Sequence, residues 1–244
     1  MAERRQPYNP LDRVELGKSV ERALLAEDLG PLPPEDKFPG AGLYAIYYTG
    51  SLDLYRSIAP PARPAGEIPI YVGKASAPGA RQGALGLETT TNEPVLLKRL
   101  REHAASIRAA QRATPAGARG LRIEDFQCRY LVADDIWVPL AEALLIGHYR
   151  PVWNLLVDGF GNHAPGKGRE EQARSLWDTL HPGRKWAYKL PPNAVSGAEL
   201  RGRVIFHLSR VSSPNLDAVP VIDDQVQMAM VDEEEPAADQ DGLF

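Results

Sequence analysis

The strongest constraint on this chain is a pair of short runs, Gly42-Leu43-Tyr44-Ala45-Ile46-Tyr47-Tyr48 and Ile68-Pro69-Ile70-Tyr71-Val72-Gly73. Aromatic and β-branched side chains suit a pleated, half-buried surface, so both runs read as strands. Between them stand Pro60, Pro61 and Pro64, which lack N–H donors and have fixed φ, so the connection reads as a long irregular loop. Residues 126–132 alternate as a third strand.

Helical periods surround these strands. Val14, Leu16, Val20, Leu24 and Leu25 form one apolar stripe, stopped near Gly30 by Pro31, Pro33 and Pro34, and give an N-terminal arm. Thr91 or Asn92 is placed to cap a helix with Pro94 in its first turn, running through Leu96, Leu97, Leu100, Ala104 and Ile107 to about Ala113. Pro139 opens another helix, with Ala141, Ala143, Leu144, Leu145 and Ile146, which must stop before Pro151. A Gly-rich connector over residues 159–168 leads to an expected helix near 170–180, halted at His181-Pro182-Gly183. Ser196 and Glu199 have capping-box spacing ahead of a last helix through Val204, Ile205 and Leu208.

At 244 residues, with 43% apolar and 25% charged side chains, the chain reads as one domain with appendages. A lone Cys128 forms no internal disulfide and excludes a cysteine-rich zinc site. No apolar run long enough for a membrane and no signal-like start are visible, so a soluble cytoplasmic protein without a membrane partner is expected. The net charge of -4 conceals an asymmetry: nine acids and no Lys or Arg lie from residue 211 onward. Without those nine, 23 acids face all 28 Lys and Arg residues, a net charge of +5, the sign that favours a polyanion. The acidic tail reads as solvated and flexible.

Three features point to phosphodiester hydrolysis, which needs an activated water and positive charge around the transition state. Arg99 and His103 are i and i+4 on one helix and share a face. An arginine forks onto phosphate oxygens and a histidine titrating near neutrality relays a proton, although such a pair also occurs as simple solvated surface. Glu142 interrupts an apolar helix, where a carboxylate must reach water, pair with a cation or bind a metal. A hard oxygen ligand of this kind suits Mg²⁺, which takes only one or two protein carboxylates. Tyr44 and Tyr71, taken singly, are also ordinary strand residues.

Together, Gly42-Leu43-Tyr44, Tyr71-Val72-Gly73, Arg99, His103, the helical Glu142 and Asn154 resemble the GIY-YIG nuclease superfamily. Leu43 and Val72 stand where the superfamily's name has isoleucine, and the triads are further apart than its usual short hairpin. The longer spacing resembles a branch of small Type II restriction endonucleases that cut GC-rich palindromes of the CCGCGG type. Flanking blocks extend that resemblance to about residues 8–187: Asn9-Pro10-Leu11-Asp12, Gly159-Phe160-Gly161-Asn162-His163 and residues 177–184.

The resemblance implies an α/β (α+β) core, a small antiparallel sheet flanked by helices, over residues 41–160. Around it are expected the N-terminal helical arm over 1–40, a C-terminal extension over 161–210 packed on the core and contacting DNA, and the tail over 211–244. It further implies one Mg²⁺ on Glu142, Tyr44 as the general base aided by His103, Arg99 and Tyr71 on the scissile phosphate, and Asn154 orienting the phosphate or the Glu142 side. Which tyrosine is the base is the least fixed of these assignments. An unperturbed phenol has a pKa near 10, so a cation or a proton acceptor must stand beside it. Lys74 reads as a possible phosphate contact or a surface lysine.

The implied partner is double-stranded DNA bound by a homodimer, with a cognate DNA methyltransferase encoded separately. A structure-specific repair or homing nuclease and an inactive DNA-binding protein of the same fold are the alternatives. Residues 167–174 and Arg184-Lys185-Trp186 read as phosphate or groove contacts. His148, His163 and His181 are expected in structural or capping roles. Residues 161–167 match the start of a phosphate-binding P-loop, but Gly168 replaces its Ser or Thr.

Overall fold

The computed structural model describes residues 13–76, 91–134, 136–166 and 171–232. Its strands, β1 (Gly30–Pro31), β2 (Gly42–Tyr48), β3 (Pro69–Ala75) and β4 (Phe126–Val132), form one antiparallel sheet in the order β1-β4-β2-β3. The fold is the expected mixed α/β type. Every residue of β2 is buried, because β2 has a hydrogen-bonded neighbour on each side and covered faces. In register, Tyr44 lies opposite Tyr130 of β4 and Gly73 of β3, while Leu43 lies opposite Leu131 and Lys74. Alternation therefore sends Tyr44 and Lys74 to opposite faces of the sheet.

One face is covered by α1 (Arg13–Ala26) and α3 (Val138–Tyr149), which pack on each other and reach β4, β2 and β3. The other face carries α2 (Val95–Ala113), whose Leu96, Leu97, Leu100, Ala104, Ile107 and Ala110 are buried as one stripe. Truncating a fully buried leucine here, such as Leu100→Ala, costs about 2–5 kcal/mol. On the same side Tyr48, Tyr55, Phe126, Trp153, Phe160 and Trp177 form a continuous aromatic cluster. A short α4 (Val152–Leu155) follows α3 directly, because Arg150 takes a left-handed conformation (φ 47°) that ends α3 and turns the chain.

Three expectations are corrected. The start of α2 has no side-chain cap from Thr91 or Asn92; the N–H of Leu96 donates instead to Gly40 O at 3.0 Å, and Thr91 turns to the N–H of Glu93. The helix expected near 170–180 is only α5 (Leu176–Leu180) among the described residues. Arg174 donates its N–H to Pro191 O, and Ser175 caps at Asp178 N, so the helix begins after them. The third concerns the tail, whose first part lies on the body. Asp217 O accepts from Lys18 and Asp223 pairs with Arg150 at 2.9 Å. The helix α7 (Asp224–Asp232) then buries Val226 as it packs on α3 and α4. The acids from Glu233 to Asp241 lie outside the described residues. In the extension, Ser196 caps α6 (Gly197–Leu208) as its spacing predicts, accepting from Glu199 N. The N-terminal arm also contributes β1, paired with β4.

Candidate active site

Tyr44 points from β2 toward α2, and its hydroxyl lies 2.5 Å from Nε2 of His103. Both residues are buried, at 0% and 1% exposure, so neither is the solvated surface group that a polar helix face suggests. Gly73 makes this approach possible: a Cβ there would stand 2.5 Å from the Tyr44 hydroxyl. His103 is walled by the edge of Tyr71 (5.1 Å between rings) and by Phe160, stacked at 4.4 Å and 18°. Burial, with Arg99, Arg184 and His163 nearby, holds its pKa well below the usual histidine value. The expectation of a histidine titrating near neutrality is therefore corrected, and at pH 7 the imidazole is neutral.

Arg99 lies one turn before His103 with its side chain 18% exposed. Its Nη1 is 3.0 Å from Nε2 of His163, and Glu102 lies 3.5 Å away. A guanidinium only donates, so His163 accepts through Nε2. A Cβ on Gly161 would stand 2.6 Å from Arg99 Nη2 and 3.1 Å from the Tyr71 hydroxyl. The absent side chain lets the Arg99 guanidinium and the Tyr71 hydroxyl both come close to this point of the loop.

On the other face of the sheet, Glu142 of α3 is fully buried and meets Lys74 of β3, Nζ to Oε2 at 2.6 Å. The carboxylate anomaly in an apolar helix is thus answered in part by a cation arriving from a strand. Asn154 brackets the backbone of Val72: its Oδ1 accepts from Val72 N and its Nδ2 donates to Val72 O, both at 2.8 Å. Among the described residues Val72 lies on an edge strand, and this amide takes the place of a further strand on its backbone groups. Its neighbours Tyr71 and Gly73 are held in place by that contact. The two clusters accordingly share β3, with Tyr71 on one face, Lys74 on the other and Asn154 gripping the backbone between.

A family model of the Eco29kI GIY-YIG domain matches residues 36–208. The chain belongs to that family. It carries a restriction-type GIY-YIG nuclease domain, for which DNA is the substrate. No curated protein matches the chain. No helix among the described residues is long and apolar enough to cross a membrane.

GIY-YIG nucleases generally use a divalent metal ion. Among the described residues no three His, Cys, Asp or Glu side chains cluster as a metal cage. Glu142 alone still fits a hard cation that keeps most of its waters, and such an ion would compete with Lys74 for the carboxylate.

Sequence reasoning placed some residues elsewhere. His163, expected to be structural, touches Arg99, whereas His148 pairs with Glu21 at 2.7 Å and His181 with Tyr55 at 2.5 Å, both away from the site. Arg184, expected on the DNA, is 5% exposed and bound to Asp178 and three backbone carbonyls. The signal for Phe160, Gly161, His163 and Arg184 was present in the flanking blocks, but nothing in their residue types alone assigned a role. Of the other basic residues read as contacts, 167–170 lie outside the described residues, and Arg174 hydrogen-bonds Ala187 O.

Proposed function

We propose that this GIY-YIG protein is a Type II restriction endonuclease that hydrolyses double-stranded DNA at a GC-rich palindromic site, with one Mg²⁺ per active site. The observation that carries the reading is the short Tyr44–His103 hydrogen bond to a neutral, buried imidazole. A neutral Nε2 can accept the Tyr44 hydroxyl proton, and Tyr44 can take a proton from the attacking water as it gives up its own. Arg99, beside Tyr71, would bind the phosphate and offset the charge that grows on its oxygens. Glu142 would hold the Mg²⁺, which supplies further positive charge at the phosphate, and Lys74 would balance that carboxylate before the ion arrives. Asn154 would set the strand on which Tyr71 and Lys74 sit.

Cutting both strands of a palindrome calls for two equivalent sites, which a two-fold homodimer supplies. A separately encoded methyltransferase is the expected companion, since unprotected copies of the site in the host genome would be cut. The test is incubation of the full chain with plasmid and Mg²⁺ beside Glu142→Ala. Discrete fragments from the wild type alone are expected. Failure to cut any DNA, with binding retained, would favour an inactive DNA-binding protein of the same fold. Preference for branched or flapped substrates over plain duplex would favour a repair nuclease.

A further inference from the structure

The loop over residues 159–162 supplies Phe160, which covers His103, and Gly161, which faces Arg99 and Tyr71. Phe160 packs on Tyr71, Trp153 and Trp177, and the polar backbone of the loop is gathered by one buried guanidinium. Arg184 donates through Nε to Asp178 Oδ1 at 2.7 Å and through Nη2 to Asp178 Oδ2 at 2.5 Å. Its remaining N–H groups go to Gly159 O (2.7 Å), Phe160 O (3.2 Å) and Asn162 O (2.9 Å). All five donors of the fork are used, and the guanidinium plane is flanked by Trp177 at 4.8 Å and Trp186 at 4.6 Å. Asp178 is itself held by Ser175, so the acceptor is fixed as well.

We propose that Arg184 and Asp178 are a positioning pair for the active site: they fix the 159–162 loop, and through it the seats of His103 and Arg99, and make no contact with DNA. A buried Arg–carboxylate pair is costly to desolvate, and hydrophobic packing alone could fill its space. The use of the remaining donors on three carbonyls of one loop gives the pair a purpose that packing would not serve. Such a clamp matters because small displacements of catalytic groups cost large factors in rate. Lysine keeps the charge but cannot reproduce the planar fork.

The kinetic part of the test rests on the nuclease reading; the spectroscopic part does not. In the full-length chain, the His103 imidazole is titrated by NMR in the wild type, Arg184→Lys, Asp178→Asn and Glu21→Gln. The groups facing His103 are Tyr44, Tyr71, Arg99, His163 and Arg184. Loosening the Phe160 cover admits water, so in Arg184→Lys the His103 midpoint should rise by about one pH unit or more toward the ordinary value. Asp178→Asn should move it the same way. Glu21→Gln breaks a buried pair between α1 and α3, lowers stability, and should leave the midpoint in place. On a duplex substrate, Arg184→Lys should lower kcat roughly tenfold or more while KM changes by less than about twofold. An unchanged His103 midpoint overturns the proposal, as does a raised KM with kcat intact, which would mark a DNA contact. If the wild type cuts no DNA, the nuclease reading fails and the midpoint still decides the role of the pair.

Discussion

Two tyrosine–histidine pairs in this molecule share a geometry and differ in surroundings. Tyr44 and His103 close at 2.5 Å, and so do Tyr55 and His181. In the second pair Trp153 Nε1 also donates to the Tyr55 hydroxyl at 2.9 Å, and Trp153 and Trp177 pack around the imidazole. Burial pushes His181 down to about 3 and raises the Tyr55 phenol. Arg201 stands close enough to act on both members of that pair and helps to hold His181 low. The first pair instead has Arg99, His163 and the glycines at 73 and 161 on its margins. The hydrogen bond is common to both, so what distinguishes the pairs is what borders them, and the proton relay proposed above is assigned to the first.

The sharpest way to break this comparison is to remove each hydroxyl in turn. Tyr44→Phe should lower the cleavage rate by about 10²–10⁴-fold, the usual contribution of general acid–base catalysis, well beyond the stability cost of about 1–3 kcal/mol from stranding the His103 Nε2. Loss of rate no greater than that of Tyr55→Phe would erase the distinction. Tyr55→Phe leaves Trp153 Nε1 and His181 Nε2 buried without that hydroxyl, and should cost about 1–3 kcal/mol in urea unfolding. Its cleavage rate, measured well below the melting temperature, should stay within about twofold of wild type, since no reacting group is removed.

Acid provides the finest distinction. For His103 and His181 the folded-state pKa lies below the unfolded value near 6.5, so below that pH the unfolded chain binds more protons. Stability should fall as pH drops from about 6.5, by up to about 1.4 kcal/mol per pH unit for each histidine, and for His181 the fall should continue to about pH 3. Urea titrations of wild type and His181→Gln across that range should show the variant with the shallower slope. Equal slopes would mean His181 is not held neutral by burial.

The sequence disclosed features governed by local spacing. The stripe from Leu96 to Ile107, the strand at 42–48 and the cap at Ser196 follow from periodicity and a few side chains, and all three occur in the structure. Glu142 was visible as an oddity because its neighbours are apolar, yet its partner Lys74 comes from a strand 68 residues away. Distant pairings of this kind leave no local trace. Arg184 shows the same limit in reverse: its charge suggested a surface role, but only the fold brings Asp178 and three carbonyls to it. For Asn154, position was supplied by resemblance, while its grip on Val72 emerges only from the sheet order.

That grip has a consequence beyond the site. An unpaired strand edge offers its N–H and C=O groups to any passing chain, and is a template for aggregation. Among the described residues β3 is such an edge, and by occupying both backbone groups of Val72 the Asn154 amide covers the centre of the strand. The same amide thereby leaves fewer free backbone groups along that strand for a second copy of the protein to pair with.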